Sequence, residues 1–375
     1  MKPASLYIHL PFCQAKCGYC DFNSYAGLES LYEDYGQALG RELEMAGPLR
    51  LRTAYVGGGT PTVLPPEILG RILEKVAPSL VAGAELTVEA NPGTVDARKL
   101  VHLRAMGVTR LSLGIQSFSN QELRLLGRVH TSDEALESLR QARLAGFGNI
   151  NLDLIYGLPG QSQDGWQSTL EQALAQRPEH LSLYALSVEA GTPLEASIAL
   201  GMAPEPNPDL AAEMYEYAQS LLAMAGYQHY EISNWARGED NYCQHNLVYW
   251  RNEPYLGIGA GAHSWAGGLR RANVAAPAEY VSRQLADRCP VGSEESIDPV
   301  LEMGETMMMG LRLVEEGVEY ARFQDRFGAD LRQLYWSELS ELAGLGLVEI
   351  GDERVRLSGR GRLLGNQVFL HFLPE

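Results

Sequence analysis

Six short apolar runs, each followed by a turn signal and then by a stretch of helical spacing, recur through the first part of the chain, at 5–10, 53–56, 85–89, 110–115, 150–155 and 181–187. The segments between them include 66–80, 97–106, 134–145 and 165–176, where apolar residues return at helical intervals. Thr131 with Glu134 after it is a capping-box pattern that places a helix start there. Neighbouring parallel strands need a crossover between them, so strand-then-helix units in series predict an α/β fold on a parallel sheet. The runs are apolar almost without interruption, as strands covered on both faces tend to be. Whether such a sheet closes on itself is not readable from the pattern.

Beyond a break at Pro204, Pro206 and Pro208, a helical stretch runs to Gly226, and residues 227–265 are aromatic and glycine-rich with little periodicity. From about residue 297 the chain changes character. Helical runs at 301–315 and 331–342 precede an apolar run at 347–350, a turn at Gly351 and Asp352, and a second run at 355–357. Helices followed by a two-stranded wing predict a small winged-helix-like domain. The expected division is a (β/α) barrel domain at 1–225, an aromatic extension at 226–290 and the winged-helix-like domain at 291–375.

With 375 residues, 45% of them hydrophobic, the chain is long enough for one large domain and a smaller one. Its formal charge of −17 argues against general attraction to phosphate backbones, so nucleic acid is not the expected partner and the wing is read as a packing or lid element. No apolar run approaches the roughly 18 residues of a membrane span, and Met1-Lys2-Pro3-Ala4-Ser5 lacks the features of a secretory signal. A cytoplasmic protein is expected, with peripheral membrane contact left open. Five cysteines in so long a chain do not resemble a disulfide framework. Three of them crowd into residues 13–20, which in a reducing compartment points to a metal or cluster site.

That crowd is Cys13-Gln14-Ala15-Lys16-Cys17-Gly18-Tyr19-Cys20, directly after the first apolar run. Parallel barrels carry their ligand loops at the carboxyl ends of strands, where this loop falls. Three soft thiolates suit an iron–sulfur cluster and leave one iron of a four-iron cluster open to an outside ligand. A zinc site or three unrelated thiols are the alternatives; zinc wants a fourth nearby Cys or His, and His9 stands at an awkward spacing. Polar or glycine positions follow at later strand ends: Gly57 to Pro61, Glu89, Gln116, Arg128 in a loop, and Asp153.

The C-x₃-C-x₂-C loop, with aromatic Tyr19 just before its last cysteine, resembles the radical S-adenosylmethionine superfamily. The resemblance implies a partial (β/α)6 barrel and a [4Fe-4S] cluster on Cys13, Cys17 and Cys20, whose open iron is chelated by S-adenosylmethionine. It further implies that Tyr7, Tyr19, Gly58, Gly59, Thr60, Glu89, Gln116, Arg128 and Asp153 surround that cofactor. A carboxylate suits its ammonium or ribose hydroxyls, and a guanidinium suits its carboxylate.

Leu6-Tyr7-Ile8-His9, the Gly57 to Pro61 run, Asp153-Leu154-Ile155-Tyr156-Gly157-Leu158-Pro159-Gly160 and the carboxyl-terminal region are similar to one branch. That branch holds oxygen-independent coproporphyrinogen III oxidase and a related heme-chaperone family. The oxidase continues its loop as Cys-Gly-Cys and carries a long amino-terminal extension. Here Asp21-Phe22-Asn23 follows Cys20, and few residues precede Cys13. Both departures favour the chaperone, with heme as ligand and a heme-accepting protein as partner; the oxidase and a non-catalytic cluster protein are the alternatives. His245-Asn246-Leu247-Val248-Tyr249-Trp250 matches the family's H-N-x-x-Y-W heme motif, which marks His245 as the expected axial ligand. Cys243, two residues earlier, would face the same side on an extended strand and is expected to be a buried thiol. His263 is a weaker candidate, Cys289 is read as structural, and Met307-Met308-Met309 as core filling.

Overall fold

The computed structural model describes residues 4–374; Met1, Lys2 and Pro3, read above for a targeting signal, lie outside it. The six apolar runs are the strands β1 (Ala4–Leu10), β2 (Leu51–Gly58), β3 (Leu80–Ala90), β4 (Arg110–Gln116), β5 (Ile150–Tyr156) and β6 (His180–Ala185). They pair in parallel in chain order. The crossovers are α1 (Tyr32–Met45), α2 (Pro66–Val76), α3 (Ala97–Ala105), α4 (Asn120–Leu125) with α5 (Ser132–Leu144), and α6 (Gln163–Ala175). Side-chain oxygens of Asp96, Ser119, Thr131 and Ser162 cap four of these helices by accepting backbone N–H bonds. At Thr131 the predicted capping box forms, with Glu134 reaching back to the Thr131 N–H. Every residue of β4 is buried, as a strand covered on both faces requires.

After α7 (Pro193–Ala199) and α8 (Pro208–Met224), the stretch that looked irregular in sequence extends the same sheet. It supplies β7 (Gln228–Glu231), β8 (Asn234–Ala236), the short helix α9 (Gln244–Trp250) and β9 (Leu256–Ile258). The sheet runs β7-β8-β6-β5-β4-β3-β2-β1-β9, with β8 antiparallel to β6 and β9 parallel to β1. Its edges are β7 and β9, so among the described residues the sheet does not close by hydrogen bonding. Strands of three or four residues are too short to show a period, which is why sequence pattern missed them.

A second, antiparallel sheet, β10 (His263–Ala266), β11 (Leu269–Asn273) and β12 (Val291–Ser296), frames α10 (Pro277–Leu285). The buried Glu42 of α1 fixes this layer: its carboxylate accepts from Tyr280 Oη (2.5 Å), Asn273 Nδ2 (2.7 Å) and the Gly259 N–H (2.9 Å). The carboxyl-terminal domain contains α11 (Pro299–Gly310), α12 (Tyr320–Phe327), α13 (Leu331–Leu334) and α14 (Trp336–Gly344). Its sheet has three strands, since β13 (Val318–Glu319) joins the predicted pair β14 (Val348–Ile350) and β15 (Arg354–Leu357). This domain grips the end of α9: Arg251 donates twice to Glu316, at 2.9 and 2.7 Å, and the Arg312 guanidinium sits 4.6 Å from the Trp250 ring centre.

Candidate functional site

The loop from Phe12 to Tyr25 is held at the carboxyl ends of the strands by backbone bonds. The Cys13 N–H donates to Tyr25 O (2.9 Å), Gly18 to Leu126 O (3.0 Å) and Thr60 to Phe12 O (2.7 Å). These approaches need glycine. A Cβ on Gly59 would stand 2.5 Å from Phe12 O, and one on Gly127, whose φ is +70°, would stand 3.0 Å from Gly18 N. His9 ties the loop to β1, with Nε2 bonded to Asn23 O (2.9 Å) and Nδ1 to Tyr7 Oη (3.0 Å). Both its nitrogens are used, so it completes no zinc site with the cysteines.

Cys13, Cys17 and Cys20 line one wall of a cavity of about 410 Å³. Burial pushes the Cys13 and Cys20 thiols up, partly offset at Cys13 by the Thr60 hydroxyl and at Cys20 by the Phe22 backbone. Arg128 Nη1 lies 3.4 Å from Cys17 Sγ, and Thr60 Oγ1 lies 3.8 Å from Cys13 Sγ. Among the described residues no three His, Cys, Asp or Glu side chains are grouped so as to hold a single metal ion. Three thiols on one wall, facing a cavity, are the donor type an iron–sulfur cluster takes.

The opposite walls are polar. Glu89 accepts from Tyr55 Oη at 2.6 Å and from the Gly58 N–H at 3.1 Å. Burial, with Asp153 adding to it against the opposing hydrogen bonds, pushes the Glu89 carboxyl up to about 7. Asp153 accepts from Ser112 Oγ (3.0 Å) and Asn151 Nδ2 (2.8 Å), and burial raises it as well. Arg128 Nη2 donates to Asn91 Oδ1 (2.6 Å) and Gly114 O (2.7 Å), while Asn91 Nδ2 donates to Thr60 Oγ1 (2.7 Å). Gln116 carries a positive φ of 68° beside a register shift between β4 and β5, a strained backbone that sets a side chain on the cavity wall.

Of the sequence-derived cofactor residues, Tyr19, Gly58, Gly59, Thr60, Glu89, Gln116, Arg128 and Asp153 line the cavity with the three cysteines. Tyr7 and His245 do not. The Tyr7 hydroxyl is spent on His9, and its ring lies 6.2 Å from Tyr55 and 6.4 Å from His245, behind the wall. His245 is 1% exposed, with Nδ1 bonded to Thr53 Oγ1 and Nε2 to Tyr249 Oη, each at 2.9 Å. As placed here it offers no nitrogen to a heme iron. Cys243 and His245 also do not share a strand: Cys243 is the N-cap of α9, buried as expected, with its Sγ 3.7 Å from Glu85. Cys289, read as structural, is exposed.

Asn91, Ser112 and Tyr55 on this cavity escaped the sequence reading. The signal was present as strand alternation: Asn91 stands two residues after Glu89, and Ser112 is in register with Glu89 on the neighbouring strand.

A family model of the radical SAM superfamily matches residues 7–173, and one of the HemN C-terminal domain matches 299–364. The heme chaperone HemW of Bacillus subtilis is 38% identical over 99% of this chain and 99% of its own length. That of Escherichia coli is 35% identical over 100% and 99%. The mitochondrial radical S-adenosyl methionine domain-containing protein 1 of Mus musculus is 35% identical over 99% of this chain and 88% of its own. The solved structure of coproporphyrinogen III oxidase (HemN) from Escherichia coli superposes with a TM-score of 0.85 at 24% identity, covering 99% of this chain and 90% of that one.

Proposed function

Because the chain belongs to the radical S-adenosylmethionine superfamily and, within it, to the family of the HemW proteins, we propose that it is a heme chaperone passing heme to an acceptor protein. In this reading Cys13, Cys17 and Cys20 hold a [4Fe-4S] cluster, and S-adenosylmethionine binds in the cavity beside it. The donor set supports this: three thiols face one cavity, and the two that burial holds protonated, Cys13 and Cys20, would be deprotonated on ligating a metal. When bound, the cluster supplies an electron to the sulfonium of its ligand.

The protein's own groups bind and orient. Glu89 and Asp153 are acceptors for the ammonium and ribose hydroxyls of the cofactor, and Arg128 is the guanidinium for its carboxylate. Tyr19, half-buried beside the cysteines, shields the loop from water. Heme ligation by His245 requires α9 to withdraw from the barrel interior, since both imidazole nitrogens are engaged there.

The observation that carries the proposal is end-to-end similarity to HemW in a loop that reads Cys20-Asp21-Phe22-Asn23. The shared fold with HemN favours porphyrinogen decarboxylation as a second reading. Anaerobic reconstituted protein incubated with heme, and separately with coproporphyrinogen III, reductant and S-adenosylmethionine, separates the two. Stoichiometric Soret absorbance without protoporphyrinogen is expected; catalytic protoporphyrinogen formation would reverse the assignment.

A further inference from the structure

Behind the cavity wall a connected chain of side chains runs from the cofactor cavity to α9. Glu89 on β3 accepts the Tyr55 hydroxyl of β2 at 2.6 Å. The Tyr55 ring stacks on the His245 imidazole, with centres 5.3 Å apart and planes 28° from parallel. The imidazole is fixed in turn, by Thr53 of β2 through Nδ1 and by Tyr249 through Nε2. The start of α9 is pinned by Glu85 of β3, whose carboxylate accepts the Gln244 and His245 N–H groups, each at 3.1 Å. Space for the contact is reserved at Gly57: a Cβ there would stand 2.7 Å from Glu89 Oε2 and 2.8 Å from the Tyr55 ring.

We infer that α9 is a positioning element of the S-adenosylmethionine site, in which Tyr55 orients the Glu89 carboxylate and His245 holds the Tyr55 ring. The inference rests on the proposal that Glu89 receives the cationic end of that ligand.

A tyrosine hydroxyl fixes a carboxylate only if its own ring cannot swing. The imidazole supplies a flat, rigid backing, and burial pushes His245 down to about 3, so the ring stays neutral and one nitrogen donates while the other accepts. The hydroxyls of Thr53 and Tyr249 can each take either role. A phenol donating to Glu89 favours the ionised carboxylate, the form that attracts a cation. The other ionisable groups facing Glu89 are Tyr7 on β1, Arg110 on β4, Asp153 on β5, Tyr184 on β6 and Tyr249 on α9. Among the described residues, Tyr55 is the one side chain that bonds to it.

The test is equilibrium binding of labelled S-adenosylmethionine to the anaerobically reconstituted full chain between pH 6 and 8. Wild type, Tyr55→Phe, His245→Phe and His245→Gln are compared at matched iron content and with melting curves recorded. Losing the phenol donor in Tyr55→Phe should weaken binding about tenfold at pH 7 and move the pH midpoint of affinity up by about one unit. His245→Phe keeps the flat backing but drops both bonds, so it should weaken binding roughly three- to tenfold and move the midpoint the same way. His245→Gln, which can still bond Thr53 or Tyr249, should recover part of that loss. Wild-type affinity and an unmoved midpoint in both Tyr55→Phe and His245→Phe would overturn the inference. Wild type that fails to bind the cofactor at any pH would instead remove the site assignment beneath it.

Discussion

Acidification should weaken S-adenosylmethionine binding, and the size of the effect follows from Glu89. Its carboxyl is pushed up to about 7 by burial, so it is half protonated at neutral pH in the free protein. A cationic ligand beside it favours the charged form and lowers that value on binding. The sign is therefore fixed: where the free carboxyl is protonated, binding must expel a proton, and affinity falls as pH falls through about 7. With a midpoint near 7, the ionised fraction is about 0.9 at pH 8 and about 0.1 at pH 6, so affinity should drop about tenfold between them, or about 1.4 kcal/mol. Calorimetry of reconstituted protein in buffers of different ionisation enthalpy reads both the affinity and the proton released, about half a proton at pH 7. Glu89→Gln keeps the shape and cannot ionise; it should bind weakly with no slope over this window, which separates the carboxylate from titration of the ligand itself. Affinity that is flat or rises on acidification in wild type, or a slope that survives in Glu89→Gln, would refute the reasoning.

Gly59→Ala should prevent cluster assembly, because its Cβ meets the Phe12 backbone rather than a movable side chain; iron content and the visible absorbance of anaerobic protein report this, and normal loading contradicts it. Thr131→Ala removes the capping-box side chain of α5 and should lower stability by about 1 kcal/mol, read by urea unfolding, with no change in cofactor affinity. Heme taken by His245 would withdraw the imidazole from Thr53, Tyr249 and Tyr55, so saturating heme should weaken S-adenosylmethionine binding several-fold, and the cofactor should weaken heme by the same factor. Affinities measured to be independent of each other would separate His245 from the iron.

The barrel was legible because its strands are buried on both faces and so are written as unbroken apolar runs, with crossovers long enough to show helical period. The cysteine loop stood out as a candidate site because three cysteines in residues 13–20 have few other uses in such a chain, and the structure sets all three on one cavity. The sheet's extension by β7, β8 and β9 was hidden by their length. The surroundings of His245 were hidden for a different reason: a motif fixes which residues recur together but not which way a seven-residue helix turns them. Its orientation depends on Glu85, far away in sequence, capping the helix. Tyr7 was taken as a cavity residue by resemblance, and only the pairing of its hydroxyl with His9 reveals that it stands behind the wall.

The same interior explains why the cavity would prefer a cation. Glu89 and Asp153 bring two carboxyl groups to the cavity wall, and the fully buried Arg110 lies within the field of both and of Glu85. Glu85 is already engaged by the N–H groups of α9 at the barrel's lower end. That leaves Glu89 and Asp153 sharing what remains of the Arg110 field, and burial raises both. Two such groups cannot ionise together cheaply without a positive partner in the cavity. On the proposed reading an ammonium or sulfonium beside Glu89 would supply that partner, and Arg128, on the cysteine side, would be left for the ligand's own carboxylate. Replacing Arg110 with Met would remove the internal countercharge, so the apo protein should lose stability by several kcal/mol at pH 8 and much less at pH 5, where the carboxyls can stay protonated. Equal losses at both pH values would show that Arg110 serves packing alone.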